Sequence, residues 1–192
     1  FDGTTEPALP GPPFEDIAVL GPQGAGLAFT PGRIGQALRV TRQDAFVGAA
    51  HGRSDFPVAR GSMLFWFRPD GAIAETGRLL DGSWAGFSLE MSGDRLLAYA
   101  TGNHQHHLAG SVRAWADAWA GRWHFAVLTW EAAKQTLYFN GEEIGARGQT
   151  DPFAAPASFR FGMHHRPNDR NAPFVGVLNG AIEEFALLNT AL

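Results

Sequence analysis

An Asn-Gly pair at residues 140–141 lies between strand-like segments. Residues 123–130 (WHFAVLTW) and 136–139 precede the pair, and residues 142–145 follow it. Asn-Gly supplies the two positive-φ residues that a two-residue hairpin turn requires. This part of the chain therefore predicts antiparallel strands joined by a tight turn.

The rest of the chain repeats this pattern of short apolar runs and turn residues. The 192 residues include 24 Gly, 12 Pro and 15 Phe, a composition that favours strands and tight loops. The runs that read as strands are residues 36–41, 45–47, 61–69, 78–80, 86–91, 95–101, 158–162 and 176–188. The segments 86–91 and 95–101 read as a second hairpin across Ser92-Gly93-Asp94. Residues 112–120 read either as a short helix or as a loop. The pattern predicts an all-β, two-sheet antiparallel sandwich.

We expect one domain over residues 1–192, with the Pro-rich residues 1–26 wrapping its surface as extended chain. In the last strand, strict alternation places Glu183, Phe185 and Leu187 on one face.

Charge and cysteine content exclude several classes of function. The net charge is −4 and no run of lysine or arginine residues occurs, so the clustered basic patch of a nucleic-acid-binding protein is missing. No apolar stretch approaches the ~20 residues of a membrane span. The absence of cysteine excludes disulfides, a zinc–thiolate site and a cysteine nucleophile.

Five segments, in their order along the chain, resemble the LamG-like jelly-roll family. They are residues 32–38 (GRIGQAL), 62–69 (SMLFWFRP), 123–127 with 137–141 (WHFAV and LYFNG), 174–185 with its G-A-I-E-E-F, and 189–192. The resemblance implies a concanavalin A-like jelly roll, usually a binding or adhesion module in a larger secreted or surface protein. It also implies an extracellular or cell-surface location, which we expect for a bacterial exported protein.

The resemblance further implies a structural calcium ion near the acidic position of the last strand. The family often has Asp where this chain has Glu183, and its N-terminal segment often contributes to the site. Asp2 and Glu183 are therefore the candidate ligands, because calcium takes carboxylate and carbonyl oxygens. The alternative for Glu183 is a salt bridge to an arginine.

The acidic residues do not form a recognisable catalytic pair. Retaining glycosidases need two carboxyls about 5–5.5 Å apart. Glu90 and Asp94 straddle a hairpin turn, and the pairs Glu142-Glu143 and Glu183-Glu184 point to opposite faces. The glucanase pattern E-x-D-x-x-E and the alginate-lyase patterns are absent. The sequence therefore predicts a non-catalytic protein, with a polysaccharide hydrolase or lyase as the enzymatic alternative.

Two segments rich in histidine are candidate ligand-binding loops. His104 and His106 share a face if their segment is extended, so they could chelate zinc or copper, with a second-loop histidine or Asp169 completing the set. The alternative is a pair of solvated loops with incidental histidines.

The second loop also suits sugar hydroxyls or carboxylates, which its side chains could bind by hydrogen bonds. The candidates there are His164, His165, Arg166, Asp169 and Arg170. An arginine fork at Arg166 or Arg170 would suit an acidic sugar in particular.

The tryptophans divide into structural and binding candidates. Trp66 and Trp123 lie where the resemblance implies core anchors, and Trp130 ends an apolar strand. Trp84 sits in a Gly-flanked turn, where it could form an exposed stacking platform for a sugar or fold back over the sheet edge.

Together these features predict a non-catalytic, lectin-like module that binds a polysaccharide or other glycan. The alternative is a protein-interaction, adhesion or structural accessory domain that packs against neighbouring domains of a larger chain.

Overall fold

A computed structural model describes residues 17–20, 27–40, 46–50, 56–82, 87–100, 107–131, 134–148, 158–162, 164–165, 174–175 and 178–192. Within this part of the chain, β-strands dominate and two short 3₁₀ helices, Ile73–Glu75 and Arg113–Ala118, are the helical segments. The strands are β1 (Ile17–Leu20), β2 (Leu27–Pro31), β3 (Gln36–Val40), β4 (Phe46–Ala50), β5 (Gly61–Pro69), β6 (Arg78–Gly82), β7 (Phe87–Ser92), β8 (Arg95–Ala100), β9 (His107–Ser111), β10 (His124–Glu131), β11 (Lys134–Phe139), β12 (Glu142–Gly148), β13 (Ser158–Phe161), β14 (His164–His165), β15 (Phe174–Val175) and β16 (Gly180–Leu188).

Two seven-stranded sheets contain all but two of these strands. Sheet I has the order β1-β4-β13-β6-β7-β8-β9, and sheet II has the order β12-β11-β10-β5-β16-β3-β2. Neighbouring strands in each sheet are antiparallel, which confirms the predicted all-β sandwich. Strands β14 and β15 form a separate pair.

The predicted extended N-terminal segment contributes to sheet I where it is described. Residues 17–20 form β1, which pairs with β4. Residues 1–16 and 21–26 lie outside the described residues, so their wrapping of the surface stays a prediction, as does the single-domain boundary.

The Asn-Gly turn has the predicted geometry. Asn140 and Gly141 have φ angles of 50° and 89°, and they join β11 to β12. The Asn140 side chain holds this turn against β10: its Oδ1 accepts a hydrogen bond from the Phe125 backbone N–H at 2.8 Å. Its Nδ2 donates to His124 Nδ1 at 3.2 Å, so the other ring nitrogen, Nε2, carries the proton and donates to the Trp119 carbonyl at 3.1 Å.

The core lies between the inward faces of the two sheets. Sheet II contributes aromatic side chains such as Phe65, Phe67 and Phe139, and sheet I contributes Leu80, Leu89 and other aliphatic residues. The sheets also approach each other at their edges. A Cβ on Gly110 of β9 would lie 2.5 Å from Ile144 Cγ1 on β12, so only glycine fits at this contact.

Residues 113–118 form a 3₁₀ helix that covers one end of the core. Trp119 is buried there, and its ring stacks on His124 and on Phe139. Trp115 packs against Phe139 from the same segment. Both tryptophans are therefore structural.

The predicted face of Glu183 in the last strand was wrong, whereas Phe185 and Leu187 share a face as predicted. The pairing of β16 with β5 shifts between Glu183 and Ala186, because Glu184 adopts a φ of 53° and forms a bulge. The extra residue reverses the alternation, so Phe185 faces the core with Ile182, whereas Glu183 points to the outer face.

Among the described residues, no helix has the length and apolarity needed to span a membrane.

Candidate functional site

The outer face of sheet I carries a cluster of polar side chains on β6 and β7. Leu80 and Leu89 of these strands face the core, so the neighbouring Asp81, Ser88 and Glu90 face away from it. Arg78 joins them: its Nη2 lies 2.6 Å from Glu90 Oε2, and its Nη1 lies 2.6 Å from Ser88 Oγ and 4.0 Å from Asp81 Oδ1. We call these four residues the Arg78 cluster.

The Arg78 cluster is shielded although it lies on an outer face. The side chains of Arg78, Asp81 and Glu90 are 13%, 8% and 21% exposed. One guanidinium therefore faces two carboxylates and a hydroxyl, and a planar fork of this kind fixes the geometry of its partners.

Two connections that carry predicted binding residues lie at one end of sheet I, near this cluster. Gly82, Phe87 and Ala100 are in register across β6, β7 and β8, and His107 starts β9 opposite Tyr99. The connections 83–86 and 101–106 therefore begin and end at the same end of sheet I. They carry Trp84, His104 and His106, which lie outside the described residues.

The second histidine segment also begins near β6. The Gly162 N–H donates to the Leu79 carbonyl at 3.0 Å, and β14 then packs next to β6. His164 and His165 form β14 and pair with Val175 and Phe174. The remaining candidates of this segment (Arg166, Asp169 and Arg170) lie outside the described residues.

The two histidine segments begin at different points along β6. Within the described residues, their flanking strands place the first segment at the Gly82 end of β6 and the start of the second near Leu79. The described residues contain no group of three or more His, Cys, Asp or Glu side chains arranged to bind a metal. His104, His106 and Asp169 lie outside these residues, so zinc or copper binding stays a prediction.

The acidic residues considered for catalysis have other roles where they are described. Glu90 pairs with Arg78, and Asp94 lies in the turn between β7 and β8. Glu142 and Glu143 are exposed on β12, next to the Asn-Gly turn.

Trp66 and Trp123 lie on the outer face of sheet II, not in the core. Both are partly exposed, which corrects the expectation of core anchors. Trp66 stacks on Phe125 with a centroid distance of 4.7 Å, and the Arg33 guanidinium lies 4.3 Å from the Trp66 centroid. The Arg68 guanidinium similarly lies 5.1 Å from the Trp123 centroid. These rings are already stacked within the protein.

Trp130 is a core residue, as the sequence predicts. Its ring is buried and stacks on Phe56 with a centroid distance of 5.7 Å, and its Nε1 donates to the Pro57 carbonyl at 2.7 Å. A buried tryptophan with a satisfied N–H is a structural anchor.

Glu183 is fully buried, and two backbone N–H groups donate hydrogen bonds to its carboxylate. The Arg33 N–H donates to Oε2 at 2.5 Å, and the Ile34 N–H donates to Oε1 at 2.6 Å. The carboxylate thus binds backbone amides, whereas the sequence suggested either calcium or an arginine side chain. Calcium prefers six to eight oxygen ligands, so the described neighbours of Glu183 do not fit a calcium site. Asp2 lies outside the described residues, and its part in metal binding stays a prediction.

Solved structures with the same fold include binding domains of botulinum neurotoxins. One is the binding domain of botulinum neurotoxin serotype D/C, with a TM-score of 0.68 and 16% identity over 92% of this chain. This chain spans only 44% of that domain. Another botulinum neurotoxin DC binding domain, in complex with rat synaptotagmin II, has a TM-score of 0.67 and 14% identity over 92% of this chain and 44% of its own.

One domain of a bacterial enzyme has the same fold and is closer to this chain in length. Domain 4 of AbnA, a GH43 extracellular arabinanase from Geobacillus stearothermophilus, was solved in complex with arabinotriose. It has a TM-score of 0.61 and 17% identity, and the alignment covers 91% of this chain and 82% of that domain. At these identities the likeness shows the fold alone.

The sequence itself matches a family over most of its length, although no curated protein matches the chain. The matched residues, 43–192, include every strand from β4 to β16 and therefore the Arg78 cluster and Glu183. The chain belongs to the Laminin_G_3 family of the concanavalin A-like lectin/glucanases superfamily.

Proposed function

We propose that this protein is a non-catalytic carbohydrate-binding module, and that its glycan binds to the outer face of sheet I. The single observation that carries the proposal is the Arg78 cluster, a shielded set of oriented polar side chains on that face. Binding residues are commonly found on loops that a rigid scaffold positions, and the segments around these strands carry the predicted binding residues.

The chemistry of the cluster suits a sugar. A pyranose or furanose ring presents several hydroxyl groups, each of which can donate to a carboxylate oxygen and accept from an N–H group. In the proposal Arg78 and Glu90, the partly exposed members of the Arg78 cluster, contribute polar groups that Asp81 and Ser88 hold in place from below. Trp84 contributes a ring that stacks on the C–H face of the sugar. His104, His106 and residues 164–170 contribute further hydrogen bonds.

The similar fold of the arabinanase domain supports this proposal. That domain was solved with arabinotriose, and this chain spans most of its length. We extend the proposal to location: such a module would belong to a bacterial exported or surface protein, where it would bring a larger chain to its polysaccharide.

Protein binding is the alternative, and the outer face of sheet II favours it. Leu64, Val127 and Tyr138 are in register there across three strands, with Leu64 and Tyr138 partly exposed and Val127 buried between them. An apolar face of this kind suits packing against another domain. The two functions use opposite faces of the sandwich and can therefore be separated by mutation.

The experiment is retention of the purified protein on a panel of immobilised neutral and acidic polysaccharides, including arabinan. We expect retention on at least one polymer, loss of that retention in Trp84→Ala, and unchanged retention in Trp123→Ala. Trp123 is a matched control because it is a partly exposed tryptophan on the other sheet.

The melting temperatures of both variants are measured beside the binding. A large fall in the melting temperature of Trp84→Ala would make Trp84 a structural residue. No retention of the wild-type protein on any polymer, or loss of retention in Trp123→Ala alone, would refute the proposed binding face.

A further inference from the structure

The β2–β3 hairpin is tied to the last strand by one side chain. Residues 32–35 form its turn, closed by the Gly32 N–H bonding to the Gly35 carbonyl at 3.0 Å, with Gly35 at a φ of 81°. The next two N–H groups, of Arg33 and Ile34, point to the Glu183 carboxylate on β16. Two consecutive N–H groups aimed at one anion form a concave backbone anion site.

The 32–35 turn packs tightly against this carboxylate. Glu183 has no exposed surface, and a Cβ at Gly32 would collide with its carboxylate, so glycine lets the turn close over it. Glu183 is in register with Trp66, and the Arg33 guanidinium lies over the Trp66 ring. The groups that the structure shows in contact with the carboxylate are therefore hydrogen-bond donors.

A calcium ion at Glu183 would meet these donors at short range. Both carboxylate oxygens already accept a hydrogen bond, and the positive ends of the two N–H dipoles point to where a cation would approach. The described part of the chain places no cluster of three acidic or histidine side chains there.

We propose that Glu183 is a latch: its carboxylate replaces the structural calcium that the family resemblance implies, and it holds the 32–35 turn on sheet II without a metal. Glutamate reaches one methylene further than the aspartate that the family often has, which allows the carboxylate to contact the turn directly. This inference does not depend on the proposed glycan binding.

The experiment compares melting temperatures of the full chain in EDTA and in millimolar calcium chloride. For the wild-type protein we expect no difference. Glu183→Gln retains the size of the side chain but turns an N–H donor toward one of the two backbone donors. We expect its melting temperature to fall by roughly 5–10 °C, equally in EDTA and in calcium.

Two further variants make the result specific. Glu142→Gln removes an exposed carboxylate from sheet II and should leave the melting temperature unchanged. Glu183→Asp retains the charge but shortens the reach, so its melting temperature should fall without a response to calcium. If Glu183→Gln does not fold, the wild-type comparison is interpreted with Glu183→Asp, whose response to calcium tests the same position.

The proposal would be overturned by a calcium-dependent rise in the wild-type melting temperature that is absent in Glu183→Gln. A rise on adding calcium to Glu183→Asp would also overturn it, because that result would mean that the position ligates a metal. An unchanged melting temperature of Glu183→Gln in EDTA would refute the latch itself.

Discussion

Arg78 and Glu90 are in register across β6 and β7, and their side chains meet at 2.6 Å on the outer face of sheet I. The same guanidinium faces Ser88 and Asp81. One arginine therefore orients three polar groups, which under the proposed function form part of the glycan site.

Replacing Arg78 should destabilise the protein strongly. Arg78→Met leaves two shielded carboxylates without their guanidinium, and breaking a buried ion pair from one side costs about 3 kcal/mol of the free energy of unfolding. Urea denaturation followed by tryptophan fluorescence measures this loss.

Arg39→Met is the matched control. Arg39 pairs with Asp70 at 2.7 Å, but both side chains are substantially exposed, so its loss should cost less than about 1 kcal/mol. Equal losses for the two variants would show that the Arg78 cluster is solvated like an ordinary surface pair.

His124 should make the protein less stable in acid. Burial lowers the pKa of His124 below its ordinary value of 6.5, and the hydrogen bond with the Trp119 carbonyl offsets part of this effect. Its stabilising contribution is complete above the unfolded pKa and is lost as the pH falls from about 6.5 toward the folded pKa, because the unfolded chain then binds the extra proton.

For this one group, the free energy of unfolding should change with pH by at most about 1.4 kcal/mol per pH unit. Denaturant titrations of the wild type and of His124→Gln between neutral and mildly acidic pH measure it. The stability difference between the two proteins should narrow as the pH falls. A constant difference would mean that His124 does not titrate in this range.

At Asn140, the contributions of the side-chain hydrogen bonds and of the positive φ to the stability of the protein can be measured separately. Asn140→Gly retains the freedom to adopt a positive φ but loses the bonds to the Phe125 N–H and to His124, at a cost of about 1–2 kcal/mol. Asn140→Ala adds the steric cost of a positive φ and should be less stable by about 1 kcal/mol more. Thermal unfolding compares the two; equal stabilities would show that the turn relaxes to another conformation.

Much of the fold could be predicted because its signals are local. Asn140-Gly141 and the Ser92-to-Asp94 turn each encode a hairpin over a few residues, and both hairpins form as predicted. The face of Glu183 on β16 could not be predicted, because a bulge at Glu184 requires an unfavourable backbone conformation that only the tertiary structure explains.

The candidate site was harder to predict for a similar reason. Strand β5 has apolar residues on both faces, so alternation could not show that Trp66 points outward while Phe65 and Phe67 form the core. The Arg78 cluster was missed because it depends on the register between strands. Its one local signal is the alternation of Ser88 and Glu90 with Leu89 and Met91, which indicates a polar outer face on β7.

The central claim is that the glycan binds to the outer face of sheet I, and backbone-amide NMR tests it most directly. The protein is titrated with a short oligosaccharide of whichever polymer retains it on the panel, and the shifted amide signals are assigned to strands. The account predicts that the largest shifts occur in β6–β9 and the connections between them. Shifts concentrated in β5, β10 and β11 would place the ligand on sheet II and contradict the account.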